Sequence, residues 1–243
     1  MIPAFQAART IGEVVQGASA HVDDVIVVND GSMDGTGDAA RAAGARVVDH
    51  PVNLGKGQAL RTGLRHAYRR GHRDAITLDA DGQHAPDDIP GLMDAAVADP
   101  GALVIGTRDM TGPTVPRSSR FGRWFTNLWV RIDGGGEVGD AQSGFRCYPI
   151  PEVLGLRLQG GRFEFEMEVI IRAAWAGIPR RSVPISVHYD QPGQRLSHFH
   201  PLMDNTRISL LFAYLFVARF VPPLRRPGAT LPWPPEDLRV APP

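Results

Sequence analysis

Two carboxylates at i and i+2, Asp79 and Asp81, end a short run, Asp74-Ala75-Ile76-Thr77-Leu78, and are followed at once by Gly82, Gln83 and His84. An apolar run closing on acids and a glycine predicts a buried strand that runs out to its C-terminal edge, where open α/β sheets hold their ligands. Successive strand residues face opposite ways, but where the strand gives way to a turn the two carboxylates can converge. Close carboxylates repel unless a cation or a shared proton lies between them. Hard oxygen ligands suit Mg²⁺ or Mn²⁺, which takes one or two protein carboxylates and draws its other oxygens from a substrate diphosphate. Taken alone, the same residues equally fit a polar turn with helix-capping aspartates, Asp87 and Asp88 included.

Further candidates lie on both sides of this turn. Asn29-Asp30-Gly31-Ser32 closes a second apolar run beginning near Asp24. Asn53-Leu54-Gly55-Lys56-Gly57 opens a helix reaching about Arg70. Its glycines let the backbone approach a ligand closely, and Lys56 adds a cation beside helix N-terminal N–H groups, unless it is simply a solvated helix-start lysine. This is not a Walker A loop, because the position of that motif's first glycine holds His50. Gly35-Thr36-Gly37-Asp38-Ala39-Ala40, with Asp49 ending the next strand, has the spacing of a dinucleotide fingerprint. The residues from Asp30 to Asp34 separate it from its strand, whereas a phosphate-cradling turn follows directly.

In the second half Arg108, Arg117, Arg120, Arg123 and Arg131 interleave with Phe121, Trp124, Phe125 and Trp129. On a helix over about 115–132 the arginines form a basic strip that can bind phosphate oxygens or stand in solvent, and the aromatics suit a membrane interface. Asp140 is either a loop-ordering buried acid or a site residue, and the candidate general base should the reaction need one. Glu164, Glu166 and Glu168 do not share a helical face, so not all three serve a site.

These residues need a scaffold. Apolar strands at 24–29, 46–49, 74–78 and 102–106 alternate with helices at 10–20, 34–43, 56–70 and 86–98, and an alternating strand follows at 180–188. That alternation predicts a doubly wound, mostly parallel sheet with helices on both faces. Asp30, Lys56, Asp79 and Asp81 then share one sheet edge. Met1-Ile2-Pro3-Ala4-Phe5 reads as the last part of a strand whose beginning is missing. Gly134-Gly135-Gly136 reads as a flexible loop. Residues 201–221 form an amphipathic helix that either packs on the core or lies in a bilayer plane with basic ends, and 222–243 a disordered or polyproline-like tail.

The 243 residues carry 26 Lys+Arg against 26 Asp+Glu, so bulk charge gives no case for nucleic acid. The single cysteine, Cys147, fits a reducing compartment. No secretory signal is visible, and the most apolar stretch, 208–221, is interrupted by Ser209 and Arg219. The expectation is a cytoplasmic protein, soluble or peripheral on the inner face of the membrane.

Ile2-Pro3-Ala4-Phe5, Val28-Asn29-Asp30-Gly31-Ser32, Asn53-x-Gly55-Lys56-Gly57, Asp79-Ala80-Asp81-Gly82-Gln83-His84, Ser143-Gly144-Phe145-Arg146, Phe165-Glu166-Met167-Glu168 and Val183-Pro184-Ile185 occur in this order. Together, over roughly residues 2–200, they resemble the inverting GT-A glycosyltransferases of family 2, above all the dolichyl-phosphate mannose synthases and bacterial polyprenyl-phosphate hexose synthases. The resemblance implies a GT-A domain over 1–200, with a nucleotide-sugar half to about 110 and an acceptor half beyond. It implies transfer of a hexose from a GDP-mannose- or UDP-glucose-type donor to a lipid-linked acceptor. Pro3 and Phe5 would line the nucleotide pocket with Ala80, Asp30 would contact base or ribose, and Lys56 would lie near the nucleotide. Asp79, Asp81 and Gln83 would hold Mg²⁺ or Mn²⁺. Arg117 and Arg120 would lie near phosphates, and Ser143 and Gly144 would face the acceptor. The pattern departs at Phe5-Gln6-Ala7, which lacks the family's N-terminal acid. It departs again at 190–198, where Asp190 and His198 replace basic residues and Arg195 is the candidate substitute cation. A hydroxyl acceptor, an inactive scaffold and an NAD-binding oxidoreductase are the alternatives.

Overall fold

The computed structural model describes residues 1–111, 115, 117–187, 201–225, 228 and 231, with 117, 118 and 201 described by their backbone alone. Arg195 and His198 lie outside the described residues.

The strands are β1 (Ile2–Ala4), β2 (Ile26–Asn29), β3 (Arg46–Asp49), β4 (Asp74–Thr77), β5 (Leu103–Arg108), β6 (Arg146–Pro149) and β7 (Arg180–Ile185). Between and after them run α1 (Ile11–Ser19), α2 (Thr36–Ala42), α3 (Lys56–Arg69), α4 (Ile89–Ala98), α5 (Arg117–Val130), α6 (Ile150–Leu154), α7 (Glu164–Trp175), α8 (Pro201–Arg219) and α9 (Pro222–Arg225). β1, β2 and β3 form one parallel group, and β4, β6, β5 and β7 a second. Met1 stitches the groups together: its amino group donates to Ile76 O at 2.7 Å, and Leu78 N donates to Met1 O at 3.2 Å. The sheet is thereby continuous in the order β3-β2-β1-β4-β6-β5-β7.

Buried strands send alternate side chains into two cores. Ile26, Leu103 and Ile105 join Leu60 and Leu64 of α3, Val169 and Ile170 of α7, and Phe212 of α8 on one face. Val27 and Val104 join Val14 of α1, Ala40 of α2 and Leu92 of α4 on the other. Helices thus cover both faces, as the alternation of elements predicts.

Several boundaries differ from expectation for identifiable reasons. β6 pairs antiparallel with both β4 and β5, with Thr77 opposite Arg146 and Val104 opposite Cys147. The chain enters β6 from a loop on the site edge of the sheet and must run back away from it. The helix expected over 86–98 starts as a 3-10 turn at Pro86–Asp88, and α4 carries Pro90 in its first turn, where the missing N–H costs no hydrogen bond. The first residues of the proline-rich tail form α9. The three glycines are not a loose loop, because Arg131–Gly135 form a π-helical turn against α5, α7 and α8.

That turn buries a carboxylate. Asp133 is fully buried, and neither of its oxygens has a hydrogen-bond partner among the described residues. Burial pushes its carboxyl up to about 7, against the opposing pull of the Arg219 guanidinium. A carboxyl that holds its proton more tightly folded than unfolded stabilises the fold at low pH, and that stability is lost as pH rises from the unfolded value of about 4 through the folded one. Asp133→Asn is therefore expected to match the wild type at about pH 3.5 and to exceed it by roughly 2–4 kcal/mol at pH 8 in urea unfolding. A difference between the two that does not change with pH would show that Asp133 does not titrate this way.

Candidate functional site

At the C-terminal edge of β1, β2 and β4 lies a cavity of about 380 Å³, lined by Pro3, Ala4, Phe5, Ala7, Asp30, Asn53, Gly55, Lys56, Ala59, Asp79, Ala80, Asp81, Arg162 and Phe163. Pro3, Phe5, Asp30, Lys56, Asp79, Ala80 and Asp81, all singled out in the sequence, meet here. Gln83 does not line it; its backbone N–H donates to Asp81 Oδ1 at 3.0 Å and so closes the turn after β4.

The loop after β1 is pinned by the segment after β2. Gln6 N donates to Ser32 Oγ at 3.0 Å, Ala7 N to Thr36 Oγ1 at 2.8 Å and Ala8 N to Asp34 Oδ2 at 3.0 Å. Gln6 takes φ 50° to make this turn. The segment that resembles a dinucleotide fingerprint therefore serves as a clamp. Asp49 accepts Asn29 Nδ2 and the Arg41 guanidinium, and none of Gly35, Gly37 or Asp49 reaches the cavity.

Asp30 is 3% exposed. Its Oδ1 accepts Leu54 N at 2.9 Å and lies 2.7 Å from His50 Nδ1, while its Oδ2 accepts Gly55 N at 2.8 Å. Its carboxylate thus shapes the 53–55 turn in addition to facing the cavity. Gly55 sits at φ 99°, ψ 155°, a conformation essentially restricted to glycine. A β-carbon there would lie 2.5 Å from Arg162 Cγ and 2.7 Å from Gly161 O, so the close approach of the 160–163 segment also requires glycine.

This turn delivers Lys56 to the first position of α3. Its ammonium lies 2.7 Å from Asp79 Oδ1 and 3.2 Å from Glu166 Oε2, with side-chain exposures of 17%, 25% and 4%. Burial opposes the Lys56 charge, but the Asp79 and Glu166 carboxylates outweigh it and hold its pKa above the ordinary lysine value. Burial likewise works against the Asp79 carboxylate, and the Lys56 ammonium overrides it, so Asp79 stays ionised below the usual range. For Glu166 burial wins over Lys56, and its carboxyl is raised. Among the described residues no group of three or more His, Cys, Asp or Glu side chains converges as a complete metal site. The donor set of Asp79 and Asp81, hard oxygens beside a cavity, suits Mg²⁺ or Mn²⁺ only with further oxygens from a bound anion. Asp79 already faces one cation, which fits that use.

Ser143 and Gly144 lie behind Asp79 rather than in the cavity wall. Thr77 Oγ1 donates to Gly144 O at 2.7 Å. Beneath them Arg146, fully buried, donates to Ser143 O, Glu166 O and Ala141 O at 2.7, 2.7 and 2.8 Å. Asp140 is the loop-ordering acid of the two readings: it is fully buried, and its oxygens accept Arg108 Nε and Nη2 at 2.6 and 2.9 Å. The basic strip divides. Arg123 turns inward to donate to Arg108 O at 2.7 Å, Arg120 is exposed, and Arg117 begins α5.

Arg162 and Phe163 belong to this neighbourhood and were not singled out, while Arg108 was read only as part of the basic strip and Glu166 only as one of three glutamates. For Glu166 there was a signal, since an acid between Phe165 and Met167 on a core helix needs a partner. Phe163, whose ring centroid is 5.9 Å from Lys56 Nζ, and Arg162 carried none. His84 is buried against Phe145 with ring centroids 5.4 Å apart, and burial lowers its pKa, so it stands neutral.

A β-carbon at Gly144 would lie 2.5 Å from Asp79 Oδ2 and 2.7 Å from Oδ1. Gly144→Ala is expected to push the Asp79 carboxylate off Lys56. The protein should keep its fold by circular dichroism while anion affinity at the cavity, measured without metal, rises up to roughly tenfold, because the ammonium released from Asp79 is free to make one charge-assisted hydrogen bond to the anion. Unchanged affinity would mean that Asp79 has other room.

Residues 1–141 match the profile of glycosyl transferase family 2. The chain is 31% identical over 215 residues to UDP-N-acetylglucosamine–dolichyl-phosphate N-acetylglucosaminyltransferase of Methanococcus voltae, covering 79% of this chain and 85% of the relative. It is 33% identical over 175 residues to undecaprenyl-phosphate mannosyltransferase of Micrococcus luteus, covering 67% and 71%. Among solved structures, glucosyl-3-phosphoglycerate synthase from Mycobacterium tuberculosis in complex with Mn²⁺, uridine diphosphate and phosphoglyceric acid superposes with a TM-score of 0.67 at 23% identity, covering 90% of this chain and 76% of that one. The fold is GT-A, and the chain belongs to glycosyltransferase family 2.

Proposed function

We propose that this glycosyltransferase moves a hexose from a nucleotide-diphosphate sugar to a lipid-linked acceptor, polyprenyl phosphate foremost, with inversion at the anomeric carbon and with Mg²⁺ or Mn²⁺. The observation that carries the reading is the gathering of Asp79, Asp81 and Lys56 in the lining of one cavity with Pro3 and Phe5. Named relatives that act on dolichyl and undecaprenyl phosphate support the acceptor class.

In this reading Pro3, Phe5 and Ala80 hold the nucleoside by shape, and Asp30 contacts base or ribose while fixing the 53–55 turn. Asp79 and Asp81 would hold the divalent ion, which when bound neutralises charge on the leaving diphosphate, and Gln83 would serve through the backbone N–H that fixes Asp81. Lys56 brings a second cation to the same phosphates, where fixed charge in a secluded site stabilises the bond-breaking step. The acceptor approaches from the face opposite the leaving group, with Ser143 and Gly144 acting only by backing the Asp79 turn, and Arg117, Arg120, Arg195 and His198 receive its phosphate.

A phosphate acceptor is anionic at neutral pH and needs no base. A hydroxyl acceptor needs one. Asp140, the candidate base, has both oxygens engaged by Arg108, and this favours the phosphate. The surface also suits a lipid substrate. Phe121, Trp124 and Phe125 of α5 are 64%, 59% and 36% exposed, and Leu202, Leu210, Val217 and Phe220 lie exposed on or just after α8. α8 packs Ile208, Leu211, Phe212 and Leu215 on the core and leaves Leu202, Leu210 and Val217 open. No helix among the described residues is long and apolar enough to cross a membrane. The reading is therefore a peripheral enzyme on the inner face of the membrane.

Thermal unfolding with GDP, UDP and NAD, each with and without Mn²⁺, tests the donor side. A nucleoside diphosphate at about 100 times its Kd should stabilise by roughly 2.7 kcal/mol, in a Mn²⁺-dependent way. Asp81→Ala should abolish both that shift and transfer while leaving the apo melting temperature intact. Stabilisation by NAD alone would sink the assignment. Mass spectrometry of lipids after incubation with a membrane extract and a panel of nucleotide sugars tests the acceptor: a glycosylated polyprenyl phosphate is expected, and a glycosylated lipid hydroxyl would favour the other acceptor.

A further inference from the structure

Lys56 and a divalent cation have a claim on the same oxygen. The ammonium lies 2.7 Å from Asp79 Oδ1, and Asp79 also lines the cavity. A metal ion on Asp79 withdraws that carboxylate's negative charge from Lys56 and adds a repulsion, so the ammonium must gain on another partner what it loses there. The structure offers one. Glu166 is 3% exposed; its Oε2 lies 3.2 Å from Lys56 Nζ, and its Oε1 is buried with no hydrogen-bond partner among the described residues. A buried acceptor left unfilled beside a shared ammonium calls for an explanation. A small shift of Lys56 away from Asp79 and onto both oxygens of Glu166 would fill it.

The helix that carries Glu166 is fixed well enough to serve as that anchor. Arg146 Nη1 donates to Glu166 O at 2.7 Å, and Gly161 and Arg162, which lead into α7, pack against Gly55 and Gly57 on either side of Lys56, with Phe165 also against Gly57. Glu166 is not among the residues lining the cavity. Its reach is to Lys56, which stands between it and Asp79.

We propose that Glu166 is a positioning residue that draws the Lys56 ammonium off Asp79 when a divalent cation binds, keeping Lys56 beside the diphosphate while freeing the Asp79 carboxylate for the metal. This rests on the reading of Asp79 and Asp81 as the metal-binding pair. It differs from a purely structural role for Glu166 in one respect: the effect of Glu166 on metal affinity runs through Lys56 and vanishes when Lys56 carries no charge.

The test measures Mn²⁺ dissociation constants by electron paramagnetic resonance of the free ion, with and without UDP or GDP, and follows folding by melting temperature. Glu166→Gln keeps the shape and removes the charge that competes for Lys56. It is expected to weaken Mn²⁺ binding at least about fivefold, and adding Lys56→Met should restore affinity to within about twofold of the Lys56→Met single variant. Mn²⁺ affinity unchanged in Glu166→Gln, or a loss of the same size in the presence and absence of the Lys56 ammonium, would overturn the proposal. Should Glu166→Gln fail to fold, Lys56→Met alone decides: tighter Mn²⁺ binding than wild type without nucleotide supports the competition, and equal or weaker binding overturns it. A wild-type protein that binds no Mn²⁺ under any of these conditions overturns the metal reading itself, an outcome distinct from wild-type binding that is indifferent to Glu166.

Discussion

The Lys56 ammonium between Asp79 and Glu166 is the interaction on which the site depends. It joins three elements that are distant in sequence: the first residue of α3, the turn after β4, and the first turn of α7. Removing one member of a buried charge group typically costs about 3–5 kcal/mol, because the remaining charges lose their compensation. Here the arrangement holds a further consequence. The charges are matched across the cavity wall rather than within one element, so the wall's shape and its electrostatics are set together. The helix N-terminus and the ammonium both favour an anion, while Asp79 and Asp81 favour a cation. An anion that brings its own divalent cation satisfies all of them at once.

Much of the surrounding architecture exists to hold that point in place by using up polar groups. Asp30 spends its oxygens on Leu54 N, Gly55 N and His50. Arg146 spends its guanidinium on three carbonyls, one of them belonging to Glu166. Glu168 accepts Gln159 N and Gly160 N and pairs with Arg172, fixing the loop that enters α7. Buried polar groups that are fully satisfied specify a single arrangement, whereas partly satisfied ones mark where something else can happen. Glu166 Oε1 and both oxygens of Asp133 fall in the second class. Only the first of these lies beside the cavity.

The first half of this chain was legible because its signals are local. Apolar strands of four residues ending in Asn29 or Thr77, each with an acid one or two residues on, read directly as sheet edge, and the residues after them converge because parallel strands put all their C-terminal ends on one side. The second half was less legible. Nothing local says that β6 runs antiparallel; that follows from where the chain must pass Asp79. Asp140 looked as much like a base as like a structural acid, since its partner Arg108 is 32 positions away in sequence. The glutamates of α7 showed the same limit. Helical geometry excluded a common role for all three, but the choice of Glu166 for Lys56 and Glu168 for Arg172 depends on tertiary placement.

In the function proposed above, the acceptor side follows a different physical logic from the donor side. A nucleotide diphosphate presents fixed charges and a flat base, and a preformed cavity with matched charges answers it. A polyprenyl chain presents only flexible apolar surface, and the answer to that is area rather than geometry. The exposed aromatics of α5 stack on one another at 5.8 and 6.2 Å and continue to Trp129, which stacks on Phe212 of α8 at 5.9 Å. The apolar path thus runs from the surface inward to the core helix, and α8 contributes further open apolar side chains beside it. Arg123, on the same helix as these aromatics, reaches Arg108 O, and Arg108 in turn holds Asp140 in the loop that leads to Gly144 and Asp79. Hydrogen bonds thus run from α5 through Arg108 and Asp140 to Gln142 N, two residues before the Gly144 that backs onto Asp79, so the apolar face of α5 and the floor of the cavity share one satisfied polar network.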